Sequence, residues 1–145
     1  MINLITDNLA PQPPHTLLLS NSDGWFNIPL QNILVCSSCN SYTVVKLING
    51  QQIVVSQNMP YYEKALSPLG FARIHQSHLI NLQHLTHLSK ATGGVDATMS
   101  NGLVLPVSRQ FKPALIETLK QRSVDALLRQ GMQMPDLGQT QPDSN

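Results

Sequence analysis

Four two-residue signals constrain this chain more than any other feature. Asp23-Gly24, Asn49-Gly50, Gly93-Gly94 and Asn101-Gly102 each stand between short apolar runs. Such dipeptides accept the positive φ that a tight hairpin needs at its tip. The first parts Thr16–Ser20 from Trp25–Pro29, and the second Tyr42–Ile48 from Gln51–Ser56. The third parts Leu85–Ala91 from Val95–Met99, and the fourth leads on into Leu103–Val107. In series they predict antiparallel strands meandering into small sheets. Two segments follow helical spacing instead. Pro60–Leu69 carries Ala65, Leu66 and Leu69, with proline near its start and Gly70 at its stop. Phe111–Arg129 sets Leu115, Ile116, Leu119, Ala126 and Leu127 on one stripe, with Gly131 as terminator. The expected class is mainly β, with one short helix and a C-terminal helix.

The ends differ from this middle. Residues 1–15 form a flexible lead containing Pro11-Gln12-Pro13-Pro14, a rigid non-helical stretch. Residues 16–122 make the one folded domain, and 123–131 extend its last helix. Residues 132–145 hold too little apolar content to pack and are expected to be a disordered tail.

Charged residues make up only 12% of the chain, where about a quarter is usual. Net charge is +1, yet residues 16–122 hold eight Lys/Arg against four acids. A mildly basic domain implies weak non-specific affinity for a polyanion. No apolar run approaches the roughly 18 residues of a membrane span. The N-terminus lacks a basic, apolar leader, so a cytoplasmic location is expected and no membrane partner. Two cysteines, Cys36 and Cys39, are too few for a disulfide scaffold and fit a reducing compartment.

Catalytic chemistry finds no foothold. There is no Gly-x-Ser-x-Gly elbow and no glycine-rich phosphate loop, and four acids give little for a carboxylate pair. The chain is not expected to be an enzyme. Cys36-Ser-Ser-Cys39, His75-x-x-His78 and His84-x-x-His87 invite a zinc reading. Their spacing resembles no compact finger, and the odd separation of the cysteines puts them on opposite faces of a strand. No metal and no cofactor are expected.

The segment Gly70–Leu82 (GFARIHQSHLINL) spaces Arg73, His75 and Ser77 two apart, on one side of an extended backbone. Ile74 faces the other way, and Leu79, Ile80 and Leu82 follow. This pattern, together with Leu105–Lys112 (LPVSRQFK), resembles the LytTR DNA-binding domain of bacterial transcription regulators. The likeness runs from about Thr16 to about Leu119. It implies antiparallel strands in stacked small sheets, an elongated β-fold unrelated to helix-turn-helix proteins, with loops entering successive major grooves of double-stranded DNA. It also implies two protomers on direct repeats, hence a homodimer on DNA. Many members of that family follow a phosphoacceptor receiver domain. The residues before Thr16 leave no room for one, so control is expected from abundance, the tails or a separate protein partner.

The resemblance assigns contacts residue by residue. Arg109 is the candidate for guanine, whose O6 and N7 suit its fork, and Gln76 for adenine. Lys112, Ser77 and Ser108 would hold phosphates. Tyr42, in the Cys39–Tyr42 loop, would touch a base or sugar edge, or cap its hairpin. His75 reads equally as a structural histidine and as a DNA contact. Arg73 is assigned to the architecture, bonding carbonyls at the sheet edge, and Asn81 to capping a turn. The position of Gln76 is often basic in the family, which here implies weaker binding per domain. An alternative function follows: a stand-alone co-regulator that binds a protein partner and DNA only weakly. Cys39 lies beside the reading loop, so its oxidation would be expected to block binding.

Overall fold

A computed structural model describes residues 13–124 together with 126 and 131. Three antiparallel sheets stack in it. The first is a hairpin of β1 (Thr16–Asn21) and β2 (Gly24–Pro29). The central sheet holds β3 (Ile33–Cys39), β4 (Tyr42–Leu47), β5 (Gln52–Val55), β6 (Phe71–His75) and β7 (His78–Asn81) in the order β5-β4-β3-β7-β6. The third runs β10-β9-β8, from β8 (Leu85–Ala91), β9 (Gly94–Met99) and β10 (Val104–Val107). Helix α1 (Met59–Leu66) precedes β6, and α2 (Lys112–Arg122) follows β10.

The central sheet is covered on both faces, which explains the unbroken apolar run that opens β3. Ile33 and Cys36 enter one core, between the central sheet, the β1–β2 hairpin and α1, with Leu19, Val45, Leu66 and Phe71. Leu34 and Val35 enter the other, against the third sheet and α2, with Ile74, Ile80, Met99 and Leu115. A strand buried on both sides loses its polar alternation and reads as a continuous run. Each such Leu or Ile, at 0–1% exposure, contributes about 1.5–3 kcal/mol of transfer free energy.

All four glycine-marked turns close where the dipeptides place them. Gly24, Gly50, Gly93 and Gly102 have positive φ at the β1–β2, β4–β5, β8–β9 and β9–β10 connections. Two further hairpins, β3–β4 and β6–β7, turn through Asn40–Ser41 and Gln76–Ser77 without glycine. Asn40, at φ +56°, is the one non-glycine with positive φ among the described residues.

Two expectations need correction. Gly70–Leu82 is not one extended row: it folds back on itself at Gln76–Ser77, and the pairing slips one residue between Arg73 and His75. A bulge breaks the two-residue period, so Arg73, His75 and Ser77 are not three steps along one strand face. The last helix also ends sooner, at Arg122. Ser123 turns extended (ψ 165°), and its hydroxyl donates to the Lys120 carbonyl at 2.8 Å. The Ser123 carbonyl then accepts from the Ala126 amide, so a new turn starts there. Residues 127–130 and 132–145, and so the expected continuation to Arg129 and the expected tail, lie outside the described residues. The same holds for most of the N-terminal lead, residues 1–12.

One end of the stack carries Leu30–Asn32, Leu82–His84 and the β9–β10 turn. Asn81 holds it together, donating from Nδ2 to the carbonyls of Leu30 (3.1 Å) and Ile33 (2.9 Å) and accepting from the Gln83 amide (3.0 Å). The opposite end carries the turns of β3–β4, β6–β7 and β8–β9, and the segment Ser108–Lys112.

Candidate nucleic-acid interface

Backbone bonds bring three sequence-distant segments to that opposite end. The Ser38 amide donates to the Ser77 carbonyl at 2.9 Å, setting the β3–β4 turn beside the β6–β7 turn. The Ser108 amide donates to the Ile74 carbonyl at 2.9 Å, which sets the segment after β10 against the other side of β6. Tyr42 and Gln76, 34 positions apart in sequence, thereby line one cleft of about 300 Å³ with Asn40, Ser41, Asn58 and Arg73. Asn58 starts α1, its side chain accepting from the Tyr61 amide at 3.1 Å.

Arg73 is the hub. Its Nε donates to the His75 carbonyl (3.1 Å) and its Nη2 to the Gln76 carbonyl (2.6 Å), so the guanidinium clasps the turn from behind. Nη1 bonds Glu63 of α1 at 2.5 Å, and the guanidinium carbon lies 5.7 Å from the centre of the Phe111 ring. One side chain thus touches the β6–β7 turn, α1 and the start of α2. Its own charge is spent inside the protein, while Gln76 uses only its carbonyl and leaves its amide side chain exposed.

The histidines of the turn are occupied too. His75 Nδ1 accepts from the Ser77 amide at 3.0 Å, and its ring lies 5.3 Å from that of His78. His78 Nδ1 pairs with the Ser37 hydroxyl at 2.8 Å. Burial pulls the His78 pKa down to about 4, with the neighbouring charges of His75 and Lys46 acting the same way. His78 is therefore neutral at pH 7.

Positive charge comes from elsewhere. Arg109 and Lys112 are exposed and border a second cleft of about 400 Å³ with Val107, Gly93, Gly94 and Lys90. Ser108 sits differently from its neighbours. Its hydroxyl oxygen is enclosed with no partner among the described residues, while its carbonyl accepts from the amides of Phe111 and Lys112. In this geometry the Ser108 carbonyl shapes the segment, and its hydroxyl faces the protein interior. Sequence pattern alone does not single out Lys90. The available signal was its place on a strand just ahead of a Gly-Gly turn.

The cysteines part company as their odd spacing requires: Cys36 is buried, its thiol pushed up to about 12 by burial, and Cys39 is exposed at the strand end. Among the described residues, no three of His, Cys, Asp and Glu cluster as metal ligands would. Nor is any described helix long and apolar enough to cross a membrane.

Comparison with known proteins agrees with this architecture. The LytTr DNA-binding domain family matches residues 23–120. The transcriptional regulatory protein LytR of Staphylococcus aureus strain bovine RF122 / ET3-1 is 26% identical over 110 residues, covering 75% of this chain and 44% of that protein. Its counterpart in strain N315 is 25% identical over 108 residues, with 74% and 44% covered. The chain thus spans less than half the length of these relatives. In fold it is similar to the LytTr DNA-binding domain of a Bacillus cereus protein described as a methyl-accepting/DNA response regulator. That match has a TM-score of 0.65 at 20% identity, covering 74% of this chain and 98% of that one. With three stacked antiparallel sheets, two helices and a family match across residues 23–120, the chain belongs to the LytTr DNA-binding domain family.

Proposed function

We propose that this chain is a sequence-specific transcriptional regulator that reads the major groove through the turns at the Gln76 end of its sheets. The supporting observation is the convergence there of exposed Tyr42, Gln76, Arg109 and Lys112 from three segments. Arg109 offers a planar fork suited to guanine O6 and N7, and Gln76 an amide suited to adenine. Lys112 and the Ser77 hydroxyl fix register on phosphates, and Tyr42 meets a base or sugar edge. Two protomers occupy a direct repeat, each adding a modest affinity, as the mild charge of the domain requires. Specific retardation of a promoter fragment, lost in Arg109→Ala, is the expected result. No retardation of any fragment selected from a random duplex library would overturn the reading.

A second reading, a protein-binding co-regulator, draws on one surface. Trp25 and Leu18 are 76% and 63% exposed and lie on the outward face of the β1–β2 hairpin. Under it, Trp25→Ser abolishes binding of a protein partner and leaves DNA retardation intact.

A further inference from the structure

We propose that Lys90, with Lys112, seats a backbone phosphate of bound DNA over the β8–β9 turn, a contact outside the three reading segments. The site rests on the DNA-binding reading above and extends its footprint to a fourth segment. Strand geometry places Lys90 there. It pairs directly with Val95, and Leu88 pairs with Ala97, so Lys90 and Leu88 share the inner face of β8. Leu88 and Val95 pack against the second core. Lys90 stands one step beyond that core, where the sheet runs out, and its stem leads along the apolar rim to the cleft it shares with Lys112 and Arg109. Among the described residues that cleft has no acidic lining; Asp96 pairs with Ser89 and so faces away from Val95.

The floor is open to a bulky anion. Gly93 and Gly94 border the cleft, and a Cβ built on either meets nothing within 4 Å. A phosphodiester can therefore approach the turn closely. An ammonium is a compact point charge without a fixed fork, which suits a phosphate better than a base edge. With Arg109 committed to a base, Lys90 and Lys112 straddle the neighbouring phosphate and hold the strand against the turn.

The test measures affinity against salt concentration for the full chain, on a selected operator and on a random duplex. One neutralised phosphate contributes a slope of about 0.9, or about 8-fold in affinity between 0.1 M and 1 M salt. Lys90→Ala should lower the slope by about that amount and weaken both duplexes equally. Lys64→Ala, removing an exposed charge from α1, should leave both measurements unchanged. A wild-type slope in Lys90→Ala, or a loss confined to the operator, overturns the site. If Lys90→Ala behaves as wild type while Arg109→Ala loses operator preference, the proposal fails and the DNA-binding reading stands. If the wild-type chain binds neither duplex, that reading fails and the site falls with it.

Discussion

The guanidinium of Arg73 donates to the carbonyl of Gln76 at 2.6 Å, so the residue proposed to read a base is held by one whose charge is engaged within the protein. Arg73 is only 14% exposed in its side chain, and its other two nitrogens donate to His75 and Glu63. The turn is thus fixed from the protein side before any ligand arrives. Preorganisation of this kind lowers the ordering cost of binding.

Arg73→Ala should destabilise the domain by about 2–3 kcal/mol, because two turn carbonyls and a carboxylate lose charge-assisted partners. Arg73→Lys should recover less than half of this, since an ammonium cannot fork between the carbonyls and Glu63. Glu63→Gln, on a side chain 39% exposed, should cost no more than about 1 kcal/mol. Urea denaturation followed by circular dichroism measures all three, and equal stability of Arg73→Ala and wild type would remove Arg73 as the hub.

Gln76→Ala should leave stability within about 0.5 kcal/mol of wild type, because the turn uses the carbonyl of Gln76 and not its side chain. It should relax base preference at one operator position, as should Arg109→Ala at another, each by about 1–3 kcal/mol. Lys112→Ala should weaken every sequence alike. Binding to a panel of single-base operator variants separates these outcomes, and a sequence-selective loss in Lys112→Ala would show its role misassigned.

Stability should fall as pH drops from 6.5 toward 4. Above about pH 6.5 His78 is neutral in both the folded and the unfolded chain and adds no dependence. Between 6.5 and 4 the unfolded chain takes a proton that the fold refuses, because burial holds the folded pKa down to about 4. His78 is only partly buried and solvent screens its charge, so the loss across this window is about 1 kcal/mol. His78→Gln should flatten that part of the pH–stability curve; an unchanged slope would place the proton elsewhere.

An alkylating reagent applied to the native protein should label Cys39 and spare Cys36, whose thiol is buried and held up at about 12. An adduct at Cys39 stands beside the Asn40–Tyr42 turn and should lower operator affinity, as should peroxide. Mass spectrometry of the labelled peptide, followed by a binding titration, checks both parts. Full modification of Cys39 with unchanged affinity would exclude it as a redox control point.

The hairpins show where sequence reading succeeds and where it stops. Gly24, Gly50, Gly93 and Gly102 announce their turns because positive φ strongly favours glycine. The turns at Asn40–Ser41 and Gln76–Ser77, in or beside which the proposed contacts Tyr42, Gln76 and Ser77 stand, have no such marker. A position that must present a side chain to a ligand cannot be a glycine, so these turns hide in the sequence among ordinary polar residues. The resemblance to a family found them; periodicity alone read Gly70–Leu82 as one extended row.

Local chemistry was therefore enough to determine the mainly antiparallel class, four of the hairpins and the approximate starts of both helices. Each depends on neighbours within a few residues: turn torsions, capping and alternation. The tertiary structure decided what no local rule encodes. It bulged β6 at Ile74 and enclosed the Ser108 hydroxyl. It also turned Arg73 inward and gathered Lys90, Arg109 and Lys112 around one cleft. Which face of a sheet end is open, and which charge is spent inside, depends on how three sheets stack. That stacking is set by two cores whose members are drawn from the whole length of the domain.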